Sequence, residues 1–218
     1  MTATHKSVWL SYLIPLTLIR DSSEFNKDIR VVVSYGKKKL LVNGIQQSGP
    51  MIEGFWNFAF SNVSLPTKQT VRSILVLGVG GGTVIGKLEV HYPDAKITAV
   101  DIDEAIIDIG RSYFGLSGKP HLTLVAADAK TYIADTHKQF DFIIADLYIG
   151  RDIPAFESSV SFIRNMKKAL RPGGHILINF LHDSAYEKRA ALLRTRLREE
   201  FTHVETAALP YNLFFMAY

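Results

Sequence analysis

The stretch SILVLGVGGGTVIGKLEVHYPDAKITAVDID, Ser73 to Asp103, decides the fold. Ile74–Leu77 is continuously apolar, as a strand buried on both faces must be. Gly78, Val79, Gly80, Gly81 and Gly82 follow at once. Glycine tolerates positive φ and carries no Cβ, so another group can come close to the chain there. Val84–Tyr92 reads as a helix, Lys96–Val100 as a second apolar strand, and Asp101 ends that strand. An acid about 20 residues beyond a glycine turn is placed to hydrogen-bond the ribose hydroxyls of a bound nucleotide or nucleoside.

The glycine spacing selects among nucleosides. A dinucleotide fingerprint needs G-x-G-x-x-G. Gly78 and Gly80 fit its first two places, but Thr83 stands in the third; counting from Gly80, Gly82 fits and Ile85 does not. G-x-G-x-G does fit, with Gly78, Gly80 and Gly82. With Asp101 behind it, this loop resembles the S-adenosylmethionine motif of the class I methyltransferase fold. Two further strands end in acids. His121–Ala126 leads to Ala127-Asp128-Ala129, and Phe140–Ala145 to Asp146. In the methyltransferase fold an acid at the place of Asp128 receives the adenine amino group, which suits a carboxylate that only accepts. Asp128 is equally suited to cap a helix Ala129–Asp135, and both roles can hold together. Ligands of open α/β sheets bind beyond the carboxyl ends of the strands, so Asp101, Asp128 and Asp146 point at one crevice.

The rest of the chain bounds the answer. Its 218 residues, 47% hydrophobic, suffice for one α/β domain with a small appendage. There is no cysteine, which excludes disulfides, thiolate metal sites and cysteine catalysis. The seven histidines show no ligand spacing, so no metal site is expected. The net charge of +4 is dispersed. Lys37-Lys38-Lys39 is expected in a hairpin turn, and the basic residues of Tyr186–Phe201 on the wet face of an amphipathic helix. Neither makes the dense patch of a nucleic-acid footprint. Ser7–Ile19 is apolar but interrupted by Pro15 and followed by Arg20 and Asp21; it is too short for a bilayer, which needs about 20 residues. It reads as a strand, and the chain as cytoplasmic without a membrane partner.

Two parts are expected: a small N-terminal β domain, 1–70, and a sheet domain, 71–218. In the first, Ile29–Ser34 and Lys39–Val42 flank a turn, Trp56–Phe60 starts an aromatic helix, and Asn62–Lys68 is a linker. In the second, a helix over about Ala155–Leu170 ends at the turn Arg171-Pro172-Gly173-Gly174, His175–Phe180 is a strand and Glu187–Phe201 a helix. His203–Ala208 and Leu213–Tyr218 then pair antiparallel. Alternating strands and helices imply a doubly wound, mostly parallel α/β sheet. A closing hairpin is the usual end of a seven-stranded, Rossmann-like methyltransferase sheet.

The run LLVNGIQQSG (Leu40–Gly49), the aromatic helix, LVLGVGGGT, VDID, AADAKTYI and FDFIIADLY together resemble the spermidine synthase (polyamine aminopropyltransferase) family, from about Ile29 to Tyr218. The resemblance implies a small β domain before a methyltransferase-like one. It implies decarboxylated S-adenosylmethionine as the nucleoside, a small amine as acceptor, methylthioadenosine as by-product, and a homodimer. Residue by residue it implies a cofactor loop of Gly78, Gly80 and Gly82, a ribose site at Asp101 and Ile102, an adenine site at Asp128 and Ala129, and Asp146 at the reacting centre. Glu53, Trp56, Tyr148 and His182 are candidates for the substrate side.

The chain departs from that family at three places. The loop G-G-G-D-G-G is here Gly78-Val79-Gly80-Gly81-Gly82-Thr83, a form met in divergent members. D-E-x-x-Y-x-E falls on Ile52, Glu53, Trp56 and Phe58, so Glu53 alone survives. D-x-x-D is Asp146-Leu147-Tyr148-Ile149, so Asp146 alone survives. A protonated diamine needs carboxylates to hold it and a base to take its proton, and Tyr148, Asp152, Glu157 and His182 are the substitutes in reach. Three outcomes stay open: aminopropyl transfer, methyl transfer from S-adenosylmethionine itself, and a non-catalytic binding protein that keeps the fold.

Overall fold

The computed structural model describes residues 9–150 and 152–218. Strands β1 (Leu16–Asp21), β2 (Ile29–Ser34), β3 (Lys37–Val42) and β4 (Ile45–Ser48) form an antiparallel sheet in sequential order. Helix α1 (Pro50–Asn62) follows. The larger sheet is built from β5 (Ser73–Leu77), β6 (Lys96–Asp101), β7 (Leu122–Ala126), β8 (Phe140–Ala145), β9 (Leu170–Leu181), β10 (Val204–Ala208) and β11 (Asn212–Ala217). Its order is β10-β11-β9-β8-β5-β6-β7, parallel from β9 to β7 and antiparallel through the closing β10–β11 hairpin. Between the strands lie α2 (Thr83–His91), α3 (Glu104–Tyr113), α4 (Ala129–Asp135), a 3-10 turn at Ala155–Ser158, α5 (Val160–Lys168) and α6 (Glu187–Glu200).

The sheet is wound on both faces because its central strands are apolar throughout. Ile74, Leu75, Val76 and Leu77 are all fully buried. Leu75 and Leu77 meet α4, α5 and α6 through Ile133, Phe162, Met166, Leu193 and Leu197 on one face. Ile74 and Val76 meet α1 and α2 through Trp56, Phe60, Ile85 and Leu88 on the other. Thus α1 packs on the large sheet, with Trp56 against Phe60 and Phe214 at ring-centroid distances of 5.8 and 5.5 Å. The small sheet rests on α3, where Ile29, Val31, Leu40 and Val42 bury Ile106 and Ile109.

Four local expectations are corrected. The first hairpin turns on two residues, Tyr35 and Gly36, at φ +51° and +70°. A tight two-residue turn of this twist requires positive φ at both places, so Lys37, Lys38 and Lys39 lie on β3 opposite Ser34, Val33 and Val32. Of the apolar stretch at Ser7–Ile19, Leu16 onward is strand, whereas Tyr12, Leu13 and Ile14 bond back to Trp9 and Leu10 in a coiled turn; Ser7 and Val8 lie outside the described residues. The helix over Ala155–Leu170 is two pieces. Ser159, extended at ψ 147°, stops the 3-10 turn and caps α5 by accepting from Phe162 N at 3.2 Å. Arg171–Gly174 is a wide bulge inside β9, between the pairs Phe140↔Leu170 and Phe142↔His175. Gly173 at φ +77° permits it, and Asp141 fastens it by accepting from Arg171 Nη1 and from the Arg72 and Ser73 amides.

Candidate functional site

Register brings the strand ends together. Leu77 pairs with Val100 on one side and Ala145 on the other, and Asp101 with Ala126. The first residues beyond the strands extend the ladder: Gly78 N donates to Val100 O, Asp146 N to Leu77 O and Ala127 N to Asp101 O, at 2.8 to 2.9 Å. Gly78, Asp101, Asp128 and Asp146 therefore stand around one cavity, together with Gly80, Ile102, Ala129, Leu147 and Tyr148. Of the expected cofactor residues, only Gly82 lies elsewhere. It faces a shallow recess beside Lys37, Glu53 and Lys87.

The glycines serve the chain's own packing. A Cβ on Gly78, at φ +94°, would stand 2.1 Å from Asp146 O. One on Gly82 would meet the Leu116 side chain at 2.6 Å, and one on Gly81 the Ser48 Cβ at 2.7 Å. Ser48 Oγ accepts from Gly81 N at 2.6 Å, and Gly49 N donates to Thr83 Oγ1 at 3.2 Å. The end of β4 thus clamps the glycine turn, which sequence reasoning missed because the partners are more than 30 residues apart.

Asp101 binds the turn as well. Its Oδ2 accepts from Val79 N at 2.8 Å and Gly80 N at 3.4 Å, and its Oδ1 from Asp103 N at 3.0 Å. An ionised carboxylate has about four acceptor positions, so with three amides bound one remains for a hydroxyl from the cavity side. Burial raises the Asp101 pKa, opposed by those amide donors. Asp128 caps α4, accepting from Thr131 N at 2.8 Å, and also lines the cavity. Asp103 is the cap of α3 and ties in the chain before β2, accepting from Ser23 Oγ at 2.5 Å and Asn26 Nδ2 at 2.8 Å.

Asp146 lies on the wall between this cavity and a second one. Asp146, Tyr148, Gln47 and Gly150 line both. The second cavity, about 250 Å³, is closed by Ile52, Phe55, Trp56, Asn179, Leu181 and Asn212. Burial pushes the Asp146 pKa up to about 6; the Asn179 amide restrains it by donating to Oδ1 at 2.8 Å, and the Asp101 charge adds to it. Asn212 Nδ2 in turn donates to Asn179 Oδ1 at 2.9 Å and reaches Tyr148 Oη at 3.4 Å. Neither asparagine was found from sequence; a neutral amide inside an apolar strand gives no signal until the fold sets it beside a carboxylate. Glu157 is fully buried with both carboxylate oxygens unpartnered. Burial and the Asp146 charge raise its pKa well above the ordinary value.

The other expected substrate residues separate. Trp56 and Tyr148 reach the second cavity. Glu53 does not. It is exposed on the opposite side of the glycine turn, paired with Lys87 at 2.5 Å, which lowers its pKa. Met51, Ile52, Phe55 and Trp56 face the cavity from one stripe of α1, and Glu53 falls off that stripe. His182 is exposed outside both linings, its Nδ1 2.6 Å from Leu209 O. Asp152 pairs with the Tyr186 hydroxyl at 2.6 Å. Among the described residues no cluster of three or more His, Cys, Asp or Glu could hold a metal. None of their helices is long and apolar enough to cross a membrane.

Comparison with known proteins agrees with this fold. Residues 57–209 match the model of the spermine/spermidine synthase domain. The polyamine aminopropyltransferase 2 of Hyperthermus butylicus is 28% identical over 188 residues, covering 83% of this chain and 60% of the relative. The chain spans less than two thirds of the length of such curated relatives. The crystal structure of a probable spermidine synthase from Corynebacterium glutamicum superposes with a TM-score of 0.74 at 20% identity, over 93% of this chain and 79% of that one. A spermidine synthase in complex with the transition-state analogue AdoDATO gives 0.71 at 14%, over 92% and 71%. The strand order, the acid at each of three strand ends and the matched domain together establish that this chain belongs to the spermine/spermidine synthase family.

Proposed function

We propose that the protein transfers an aminopropyl group from decarboxylated S-adenosylmethionine to a small amine. The observation that carries the reading is Asp146, which lies between a cavity suited to a nucleoside and a second cavity, with its pKa raised to about 6. The residues fit the nucleoside: a spare acceptor position on Asp101 for a ribose hydroxyl, Asp128 for the adenine amine, and the apolar Ile102, Ala129 and Leu147 for the rings. When bound, the donor supplies a carbon activated by a sulfonium leaving group.

The chain's own residues do the rest. Asp146, held in one orientation by Asn179, accepts a proton from the ammonium of the acceptor, so that its nitrogen lone pair becomes free. A carboxylate with pKa near 6 is a stronger base than an exposed one, yet still ionised at pH 7. The two cavities present amine and sulfonium carbon to each other across Asp146, which supplies the approach geometry. The new N–C bond forms as the C–S bond breaks, and methylthioadenosine leaves as a neutral thioether. We further propose a homodimer, supported by the cluster of exposed apolar residues at the start of the described chain, including Trp9 and Leu13.

Calorimetric titration with S-adenosylmethionine, its decarboxylated form and methylthioadenosine tests the reading. The decarboxylated donor and methylthioadenosine are expected to bind at least tenfold tighter than S-adenosylmethionine. The reverse order moves the chain to methyl transfer, and no binding of any leaves a non-catalytic protein.

A further inference from the structure

The second cavity defines the class of acceptor, given the aminopropyl-transfer reading above. Asp146 is its single acid among the described residues. Its polar side chains Asn179, Asn212 and Tyr148 are linked to one another and to Asp146, and Gln46, Gln47 and Tyr211 are its other polar side chains. They are uncharged. Much of the remaining wall is apolar: Ile52, Phe55, Trp56 and Leu181. The three other acids that could have served a second cation, Glu53, Asp152 and Glu157, line neither cavity. Glu53 is on the far side of the glycine turn with Lys87, and Glu157 is sealed beneath the surface and lines neither cavity.

The charge balance discriminates between amines. A primary monoamine enters as one ammonium and meets one carboxylate. A short diamine brings a second ammonium a few carbons away, and this cation would sit against Ile52, Phe55 or Leu181 with no counter-charge. Burying an unpaired ammonium is far more costly than burying the methylenes beside it is favourable. A hydrocarbon or aryl tail in the same place instead releases water from apolar and aromatic walls. We propose that the acceptor is a primary monoamine with an apolar or aromatic tail, its amine at Asp146 and its tail against Ile52, Phe55 and Trp56, and that diamines are poor substrates.

The test supplies the purified full chain with decarboxylated S-adenosylmethionine and, in turn, hexylamine, phenethylamine, putrescine and cadaverine, and measures methylthioadenosine release. A kcat/KM for the monoamines at least tenfold above that for the diamines is expected. Ile52→Asp, which adds an acid at the apolar end, should move the ratio at least tenfold toward the diamines. A diamine preference in the unmodified chain overturns the acceptor class and leaves aminopropyl transfer standing. Release with none of the four amines overturns both.

Discussion

At the scale of the residue, Asp146 carries a cost that its proposed task explains. Its pKa in the fold, about 6, lies above the ordinary 3.8 because burial disfavours the charge. The native chain therefore binds this proton more tightly than the unfolded chain. The group's contribution to stability is full below 3.8 and is lost as pH rises through about 6. The loss is at most about 3 kcal/mol. Asp146→Asn keeps an oxygen for the Asn179 amide and removes the buried charge. It is expected to raise stability by about 1–3 kcal/mol at pH 8 in urea unfolding and to lower turnover by about 10²–10⁴-fold. Unchanged turnover would remove Asp146 from the reaction. The same group sets the pH profile. A base must be ionised, so kcat/KM should climb as pH rises through about 6 and then level. Asn179→Leu deletes the donor that favours the ionised form, and the climb should move to higher pH while the plateau survives in part. A merely structural asparagine would lower the rate without moving that limb.

At the scale of the element, Asp128 has two tasks that a choice of substitution separates. It caps α4 through Thr131 N and faces the proposed adenine end of the cavity. Asp128→Ser keeps a capping oxygen and loses the carboxylate; Asp128→Ala loses both. Both variants are expected to weaken methylthioadenosine binding about tenfold or more by calorimetry. Only Asp128→Ala should also cost about 1 kcal/mol of stability. Equal affinity in Asp128→Ser and the unmodified chain would leave the residue as a cap alone. Elements of this kind were legible because each is local. An apolar run that leads to an acid places β6, β7 and β8 with Asp101, Asp128 and Asp146 within a few residues, and one that runs into glycines places β5. What was not legible is what depends on distant partners. The bulge at Arg171–Gly174 exists because Asp141 on the neighbouring strand holds it, and Arg-Pro-Gly-Gly read alone is a turn. From sequence no element is assigned to Glu104–Tyr113, where α3 is capped by Asp103 accepting from Ala105 N. Glu53 was assigned to the substrate side by its place in a motif, whereas its side of α1 faces Lys87.

At the scale of the whole molecule, the two sheets meet around the site, and the small sheet does more than cover it. Its last strand fastens the glycine turn through Ser48, its Gln47 lines both cavities, and the helix that follows it supplies apolar wall to the proposed acceptor cavity. Exposed apolar residues cluster in the chain that precedes that sheet and at its Tyr35 turn. Trp9 is 80% exposed and Leu13 81%, with Leu10, Tyr12, Ile14 and Tyr35 also exposed. Tyr12 packs on Tyr35 at the first hairpin, with ring centroids 6.4 Å apart, so the cluster is continuous with β2 and β3. A contiguous apolar patch on a folded protein marks a contact surface, since leaving it wet forgoes about 25 cal/mol for each Å² that could be covered. The partner proposed is a second copy, which would place two such patches face to face by a two-fold axis. Light scattering at micromolar concentration should then give twice the mass of the 24.4 kDa chain. Trp9→Asp with Leu13→Asp puts two charges per subunit into that contact. It should yield a monomer whose thermal unfolding becomes independent of concentration, whereas that of the unmodified chain rises with it. Methylthioadenosine affinity should change less than about threefold, because neither residue lines the proposed nucleoside cavity. A monomer in the unmodified chain, or a dimer that survives both charges, would assign the patch to another partner.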